Sequence, residues 1–455
     1  MTRKPNVLVF FTDQQRFDSV GLHGNPLGIT PNFDRLARAG AHLNHSYSCQ
    51  PVCGPARACL QTGMYATQVN VPTNGIALDP SHKTIADYFN DAGYWTGYLG
   101  KWHLRGRDDE FGPGPVPKEL QGRYQYWMAC NVLEFTSEAY HTTMYDGNGN
   151  PHDFPGYRVD ALADLTIRTI WERRDASEPF FLFTSYIEPH FQNHQDDYPA
   201  PDGYRERFIS NPWIPPDLMA LGGSTHQHIA GYWGMIQRLD EALGRIVDAL
   251  KSMKLLDDTI ILFTSDHGCH FKTRNSEYKR SCHDSSIRVP TFFSGPGFNQ
   301  GGQINQFVST PDMTATLLDA AGISVPDTMA GRSIMPLLKR DYNDWPDDLF
   351  VQISESQCGR AVRTKRWKYG VNAPDADRKT PHSDRYVEEY LYDLECDPYE
   401  LRNLVGLASH RPVADRMKDR LLKRMADVGE PTAIIENAPN LQSGQRRIDD
   451  GEADA

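Results

Sequence analysis

The sequence lacks any apolar run of the roughly 18 residues that a membrane-spanning helix requires. Its first apolar run, residues 6–12, follows basic residues as the core of a signal peptide would, but it is short and ends directly at Asp13. A signal peptide needs a longer apolar segment and small residues at a cleavage site. We therefore interpret residues 6–12 as a strand, and we expect a cytoplasmic protein without a membrane partner.

An excess of positive charge is also missing. The 455 residues contain 47 Lys and Arg against 59 Asp and Glu, which gives a formal net charge of −12. Proteins that bind nucleic acids or anionic membranes usually carry a basic excess, so we expect no nucleic-acid partner. An anionic substrate would have to be attracted by a local pocket of basic residues and metal, against the field of the whole protein.

Cysteine is too sparse for a disulfide framework, with eight residues in a chain of this length. In a cytoplasm these thiols stay reduced. Cys49, Cys53 and Cys59 cluster in the sequence, but their spacing matches no common zinc-binding pattern. A structural zinc site is therefore not predicted here.

What the sequence does contain is an alternation of short apolar runs with amphipathic helical patterns. Unbroken apolar runs are typical of parallel strands that are buried on both faces. We predict an α/β fold with a large, mostly parallel sheet sandwiched by helices. The strands are predicted at residues 6–12, 95–100, 180–186, 259–265, 289–294 and 304–309. The helices are predicted at residues 30–40, 158–174, 228–253 and 312–321.

The pattern changes at the polar, turn-rich segment DYNDWPDD. We predict a catalytic domain at residues 1–345, a smaller C-terminal α+β subdomain at 346–435 and a tail at 436–455. Residues 105–157 are rich in Gly, Pro and aromatic residues and show little periodicity. We expect this segment to form a long insertion at the mouth of the active site.

Chemically informative side chains follow the ends of four predicted strands. Because open α/β sheets bind ligands beyond the carboxyl ends of their strands, these side chains should meet at one edge. Each alone has a common structural explanation, such as a turn or a helix cap, but together they predict a site. They are Asp13 and Gln14 after the first strand, Lys101 and His103 after the second, His190 after the third, and Asp266 and His267 after the fourth.

These side chains, together with Lys279 further along the chain, fall into two chemical groups. Oxygen ligands favour Ca²⁺ or Mg²⁺, and an imidazole keeps Mn²⁺ open, so we predict one divalent ion with Ca²⁺ as first choice. Its predicted ligands are Asp13, Gln14, Asp266 and His267. The predicted donors and acids around an anionic group are Lys101, His103, His190 and Lys279.

The most specific feature is the segment Cys53-Gly54-Pro55-Ala56-Arg57, which a helical stretch follows as far as Thr62-Gly63. This segment resembles the C-x-P-x-R signature of the sulfatase family, within the alkaline phosphatase superfamily. The rest of the chain matches the family in register, so the resemblance spans residues 6–404. The matching segments are TDQQR at 12–16, GKWH at 100–103, Pro189-His190, SDHG at 265–268, Lys279 before Arg288-Val289-Pro290, and LYDLECDPYELRNL at 391–404.

The resemblance implies a formylglycine-dependent (type I) sulfatase that hydrolyses sulfate monoesters. A maturation enzyme would oxidise Cys53 to formylglycine, whose hydrate attacks sulfur with one hydroxyl and expels sulfate with the other. Residue 53 would share the cation, which lowers the pKa of the attacking hydroxyl. The other implied roles are orientation of the hydrate by Arg57 beside His103, neutralisation of sulfate oxygens by Lys101 and Lys279, protonation of the leaving alcohol by His190, and weaker substrate contacts by Asn74 and His283.

Three positions depart from the family's pattern. Gln14 stands where the family usually has a second Asp, and His267 stands where it often has Asn. These two departures leave the identity of the cation open. His283-Asp284 replaces the family's usual pair of an aromatic and an acidic residue, which bears on substrate choice.

The sequence leaves two other functions open. One is a phosphonate monoester or phosphodiester hydrolase of the same superfamily. Some of those enzymes also carry Asp-Gln in the first metal motif, but they tend to lack the lysine and histidine present here as Lys101 and His103. The other is a non-catalytic binder of sulfated ligands that never matures Cys53, although retention of every acid, base and ligand argues against it. The natural ester (an aryl, alkyl or saccharide sulfate) and formation of a homo-oligomer also stay open.

Overall fold

The computed structural model describes residues 4–106, 113–210, 213–441, 448 and 450–454. No helix within these ranges is long and apolar enough to span a membrane. The strands described are β1 Asn6–Thr12, β2 Ala41–Leu43, β3 Ser46–Tyr47, β4 Trp95–Lys101, β5 Tyr126–Cys130, β6 His141–Asp146, β7 Pro151–Pro155, β8 Phe180–Ser185, β9 Thr259–Ser265, β10 Thr291–Ser294, β11 Gly302–Ile304, β12 Val308–Ser309, β13 Leu349–Ile353, β14 Gly359–Arg363, β15 Trp367–Asn372, β16 Arg385–Asp393 and β17 Ile434–Glu436.

Helices alternate with these strands along most of the chain. The α-helices described are α1 Pro31–Ala39, α2 Cys53–Thr62, α3 Ile85–Asp91, α4 Leu133–Thr136, α5 Arg158–Arg173, α6 Glu206–Ile209, α7 Pro216–Leu221, α8 Thr225–Ser252, α9 Asp284–Ile287, α10 Thr310–Ala320, α11 Met335–Leu338, α12 Arg411–Asp427 and α13 Asp450–Ala453. Short turns of 3₁₀-helix connect several of them.

The main sheet has ten strands in the described part of the chain, in the order β11-β2-β10-β9-β1-β8-β4-β5-β6-β7. Its five central strands, from β9 to β5, run parallel. Strand β10 and the β6–β7 hairpin are antiparallel to their neighbours. The predicted α/β fold with a large, mostly parallel central sheet is confirmed.

Strand β1 shows how the helices cover both faces of this sheet. Successive side chains of a strand point to opposite faces. Val7 and Val9 belong to one core, with residues of α2, α3 and α10. Leu8 and Phe10 belong to a second core, with residues of α1, α5 and α8. Because both faces of β1 are buried, its sequence is apolar throughout instead of alternating.

Two of the weaker strand predictions need correction. The run at residues 289–294 forms a strand only from Thr291, and this strand is antiparallel to β9. The run at 304–309 is not one strand but two, since β11 pairs with β2 in the main sheet and β12 pairs with β3 in a separate sheet. The polar residues Asn305 and Gln306 interrupt the apolar run between them.

The segment at 105–157 is also more regular than its sequence indicates. Residues 107–112 lie outside the described residues. Much of the remainder extends the main sheet with β5, β6 and β7, although its sequence shows little periodicity. Val132, Glu134 and Phe135 of this segment line the cavity over Cys53, as expected of a segment at the mouth of the site. The edge strand β7 exposes most of its side chains, and for that reason it carries no apolar pattern that a sequence reading could detect.

The C-terminal subdomain is a five-stranded sheet in the order β13-β14-β15-β16-β17, which begins at Leu349. Helix α12 packs on this sheet through Met417 and Leu421. Part of the predicted tail is ordered against the subdomain. Strand β17 pairs with β16, and the backbone N–H of Ile448 donates to the carbonyl of Ser409 at 2.9 Å.

Phe263 on β9 packs in the core three residues before Asp266, so its contribution to the stability of the fold can be measured close to the site. Its ring stacks on Phe10 at 5.2 Å between centroids and meets Phe33 edge-on at 4.9 Å. Phe263→Ala would leave a cavity, so we expect the free energy of unfolding to fall by about 3–5 kcal/mol in chemical denaturation. The control Tyr342→Ala removes a ring that is 50% exposed and should cost less than about 0.5 kcal/mol. Equal losses in the two variants would contradict this prediction.

Candidate active site

Side chains that follow the parallel strands meet at one edge of the main sheet. Strands β9, β1, β8 and β4 are parallel neighbours, so their carboxyl ends share this edge. Asp13, Lys101 and Asp266 stand at these ends and are fully buried. Helix α2 begins at Cys53 at the same edge and brings the thiol sulfur to 3.7 Å from Asp13 Oδ1.

Four buried side chains form a cluster with the geometry of a metal site. One ligand atom each from Asp13, Cys53, Asp266 and His267 lies within 4.8 Å of the others. His267 Nε2 is 3.3 Å from Cys53 Sγ and 3.5 Å from Asp266 Oδ1. His267 Nδ1 is 2.9 Å from the carbonyl oxygen of Gly268, which can only accept. Nδ1 therefore carries the proton, and the Nε2 lone pair faces the cluster.

Gln14 lies beside this cluster. Its backbone is in the left-handed region (φ 67°), and its N–H donates to Asp266 Oδ1 at 3.0 Å. The side-chain Nε2 donates to the Tyr198 hydroxyl at 2.9 Å. This leaves Oε1 buried without a hydrogen-bond partner among the described residues, as expected of an oxygen that coordinates a cation. The predicted ligand set therefore fits a hard divalent ion.

The charge of the cluster also favours a cation. Burial, with the neighbouring charge of Asp13, raises the pKa of Asp266 to about 7. Burial also raises the pKa of Asp13, but the positive charges of Lys101, His190 and Arg57 outweigh it and hold that pKa well below its usual range. Two adjacent buried carboxylates resist being charged together unless positive charge compensates them.

Arg57 contacts the carboxylates rather than the nucleophile's side chain. Its Nη2 donates to Asp13 Oδ2 at 2.9 Å and lies 3.4 Å from Asp266 Oδ2. Its Nη1 donates to Ser185 Oγ and to the carbonyl of Lys101, both at 2.8 Å. Arg57 therefore positions the two carboxylates beside residue 53.

Lys101 lies in the same buried layer. Its ammonium donates to Asp13 Oδ2 and to Glu134 Oε1, both at 2.8 Å. Burial lowers the pKa of Lys101, but these two carboxylates outweigh it and hold that pKa above its usual value. The resemblance implied that Lys101 neutralises the sulfate oxygens directly. In the structure its charge is already shared between two carboxylates.

Lys279 and His190 flank Cys53 on the other side. Lys279 Nζ is 2.8 Å from Cys53 Sγ and 3.2 Å from His190 Nε2. His190 Nδ1 is 2.7 Å from the carbonyl oxygen of Phe191, so Nδ1 carries the proton and Nε2 accepts from Lys279. Burial and the charge of Lys279 lower the pKa of His190. Burial raises the pKa of the Cys53 thiol, but nearby cations, Lys279 foremost, hold it well below its usual value.

A cavity of about 210 Å³ opens over Cys53. Phe135 and Phe191 give it an apolar side. Asn74 lines it and fixes the start of α2, because its Oδ1 accepts from the N–H of Gly54 at 2.8 Å. The other polar residues on its wall include His103, Glu134, His190, Asn193, Glu277, Lys279 and Arg280.

His283 lies outside this cavity, so its expected substrate contact is corrected. The side chain is buried, with Nε2 at 3.0 Å from the Tyr392 hydroxyl and Nδ1 at 3.1 Å from Ser281 Oγ. Burial lowers the pKa of His283 well below its usual value. Because Tyr392 belongs to β16, His283 connects the catalytic domain with the C-terminal subdomain.

Comparison with known families shows to which family the chain belongs. The Sulfatase family model matches residues 5–323, and the model of the C-terminal region of N-sulphoglucosamine sulphohydrolase matches residues 276–427. The chain belongs to the sulfatase family. It is therefore a hydrolase of sulfate esters, as the signature around Cys53 predicted.

Similarity to individual sulfatases extends over the whole chain. The ulvan-active sulfatase of Formosa agariphila is 29% identical to it, over 94% of this chain and 82% of the relative. The solved structure of the Bacteroides fragilis protein YidJ superposes with a TM-score of 0.82 at 24% identity, over 94% of this chain and 97% of that chain. The phosphonate monoester hydrolase of Agrobacterium radiobacter has a TM-score of 0.69 at 26% identity, over 93% and 96% of the two chains.

Three residues that hold the predicted side chains of this sulfatase's site in place were not identified from the sequence. They are Glu134, which holds Lys101, Tyr198, which orients Gln14, and Ser185, which accepts from Arg57. Ser185 is the last residue of β8 and lies one residue before the end of the predicted strand, so the reasoning applied to Asp13 was open to it. Glu134 comes shortly after β5, so recognition of that strand would have pointed to it.

Proposed function

We propose that this sulfatase hydrolyses sulfate monoesters through a formylglycine made from Cys53 by a maturation enzyme, with one divalent cation as cofactor. The observation that carries the proposal is the position of residue 53. It lies between the carboxylate–imidazole cluster and the ammonium of Lys279, on the wall of a cavity. A nucleophile at this point has ligands for a cation on one side and a cationic donor for the sulfate on the other.

Asp13, Gln14, Asp266 and His267 would hold the cation. Two carboxylates match the charge of a divalent ion, and oxygen atoms from three of the four ligands favour Ca²⁺. When bound, the ion would lower the pKa of the attacking hydroxyl of residue 53. Arg57 and Lys101 position Asp13 for this role, because both donate to its Oδ2.

The reaction of the hydrated formylglycine proceeds in two steps. One hydroxyl oxygen bonds to sulfur while the bond from sulfur to the alcohol oxygen breaks, and the leaving alcohol takes up a proton. The second hydroxyl then loses its proton, its electron pair re-forms the aldehyde, and sulfate leaves. Addition of water to the aldehyde restores the hydrate. Lys279 is placed to bind the sulfate oxygens, and the proton that it shares with His190 Nε2, 3.2 Å away, lies beside the leaving alcohol. His103 and Asn74, which line the cavity, would contact the substrate.

We propose a saccharide sulfate as the natural ester. The family model that matches residues 276–427 is named for an N-sulphoglucosamine sulphohydrolase, whose substrate is a sulfated sugar. The cavity over Cys53 combines an apolar side with several hydrogen-bonding groups, and sugars present both kinds of surface. Aryl sulfates would then serve as simple test substrates.

A phosphonate monoester hydrolase is the second candidate function. It is favoured by Gln14 and by the likeness to the Agrobacterium radiobacter enzyme. A sulfate monoester carries one negative charge and a phosphate monoester nearly two. A cation and Lys279 against two carboxylates leave only a modest positive excess, which disfavours a phosphate monoester. A phosphonate monoester is a monoanion like a sulfate monoester, so kinetics must separate these two.

Kinetics on three 4-nitrophenyl esters test the assignment. With matured enzyme we expect kcat/KM for the sulfate to exceed that for the phenylphosphonate by about tenfold or more, a difference of ~1.4 kcal/mol in the barrier. The phosphate monoester should bind but turn over slowly. A preference for the phosphonate would transfer the assignment to the second candidate.

A further inference from the structure

Glu134 is a buried carboxylate on the wall of the cavity over Cys53. It belongs to the short helix α4, and it is only 3% exposed. Its Oε1 accepts a hydrogen bond from Lys101 at 2.8 Å. Its Oε2 is buried and has no hydrogen-bond partner within the described ranges. Buried polar atoms of this kind are uncommon in folded proteins and are often explained by a ligand.

The charge of Glu134 makes this oxygen an acceptor. Burial raises the pKa of Glu134, but the ammonium of Lys101, with smaller contributions from the neighbouring His190 and His103 rings, outweighs it and holds that pKa below its usual value. An ionised carboxylate has no proton to donate. Beside a site for an anionic ester, such a group repels a second anion and attracts a hydrogen-bond donor.

We propose that Glu134 accepts a hydrogen bond from a hydroxyl or amino group on the alcohol part of the substrate. The alcohol part of an ester whose sulfur lies at residue 53 would occupy the cavity that Glu134 lines. Glu134 would thus select sulfate esters of polyols or amino sugars over esters that lack a donor. This inference rests on the proposed function and adds a specificity determinant to it.

Glu134→Gln separates this role from the support that Glu134 gives to Lys101. The amide oxygen can still accept from Lys101, but an NH₂ group then replaces the unpartnered oxygen. We expect kcat/KM for a saccharide sulfate to fall by about tenfold or more, as expected when a buried charged acceptor is lost. The change for 4-nitrophenyl sulfate, which has no donor, should be several-fold smaller. Equal losses on both substrates would mean that Glu134 acts only through Lys101, and would overturn the proposal.

The control is Glu138→Gln in the same segment. The Glu138 side chain is 53% exposed and pairs with His194, and it is not among the residues that line the cavity. It should leave the ratio of kcat/KM between the two substrates unchanged.

Substrate analogues give the same test with the wild-type enzyme. Each hydroxyl of the sugar is O-methylated in turn, and the amine is N-acylated. The analogue that reproduces the loss of kcat/KM identifies the group that donates to Glu134. Full activity on every analogue would exclude a hydrogen bond from the sugar to Glu134.

A binding experiment keeps this inference distinct from the proposed function. In the inactive Cys53→Ala background, calorimetry should show the saccharide sulfate binding about tenfold more weakly when Glu134→Gln is added. Undiminished affinity would sink the inference even if the wild-type enzyme hydrolyses sulfates. Absence of turnover on any sulfate ester would instead count against the proposed function, and the affinity difference would still support the role of Glu134.

Discussion

Cys53→Ala and Cys53→Ser should each lower kcat for 4-nitrophenyl sulfate by about 10⁴-fold or more, while the fold stays intact. Alanine offers no nucleophile. Serine offers one hydroxyl, which can attack sulfur, but the resulting ester has no second hydroxyl on the same carbon to expel sulfate. Steady-state kinetics and circular dichroism measure the two effects. Substantial activity in the alanine variant would remove residue 53 from the mechanism.

Mass spectrometry of the peptide that contains residues 53–57 checks the modification itself. In a host with a suitable maturation enzyme, part of this peptide should be lighter than its encoded mass. Cys59→Ala is the matched control, because Cys59 lies on the same buried helix in a small cluster with Cys49 and Ala66. It should keep both the activity and the lighter peptide.

Removal of the divalent cation should lower activity by about 10³-fold, since a catalytic ion contributes several kcal/mol to the barrier. Activity should return when Ca²⁺ is added. Comparison with the activity restored by Mg²⁺ and by Mn²⁺ then identifies the preferred metal. With only two carboxylates among its protein ligands, this site should bind the ion more weakly than a site with three or four. A fully active preparation shown by elemental analysis to be free of metal would contradict the assignment.

Asp266→Asn tests the same site without a chelator. It keeps the shape of the side chain and removes one of two carboxylates, so the dissociation constant for Ca²⁺ should rise by about 100-fold or more. Ca²⁺ should raise the melting temperature of the wild type and have little effect on the variant. Asp257→Asn is the control, because Asp257 is exposed just before β9 begins, at the opposite end of the strand from Asp266. It should respond to Ca²⁺ like the wild type.

The strands that carry the site could be read from the sequence alone. Strands β1, β4, β8 and β9 lie within one residue of their predicted bounds. Their apolar runs have no other explanation than burial on both faces, and the polar residues that end them are adjacent in the sequence. The family, the fold class and the segments that meet around Cys53 could therefore be predicted from short stretches of sequence.

The direction in which the side chains point was decided by the tertiary structure. Lys101 is held between carboxylates of β1 and α4, and His283 turns toward the C-terminal subdomain instead of the cavity. Glu134 was missed because β5, the short apolar strand that precedes it, was not recognised within residues 105–157. Hydrophobic periodicity specifies which residues are buried, but the partner of a buried charge comes from a segment far away in the chain. That choice is made only when the sheet and the subdomain pack together, since a buried charge must then find its counter-charge or hydrogen-bond donor there.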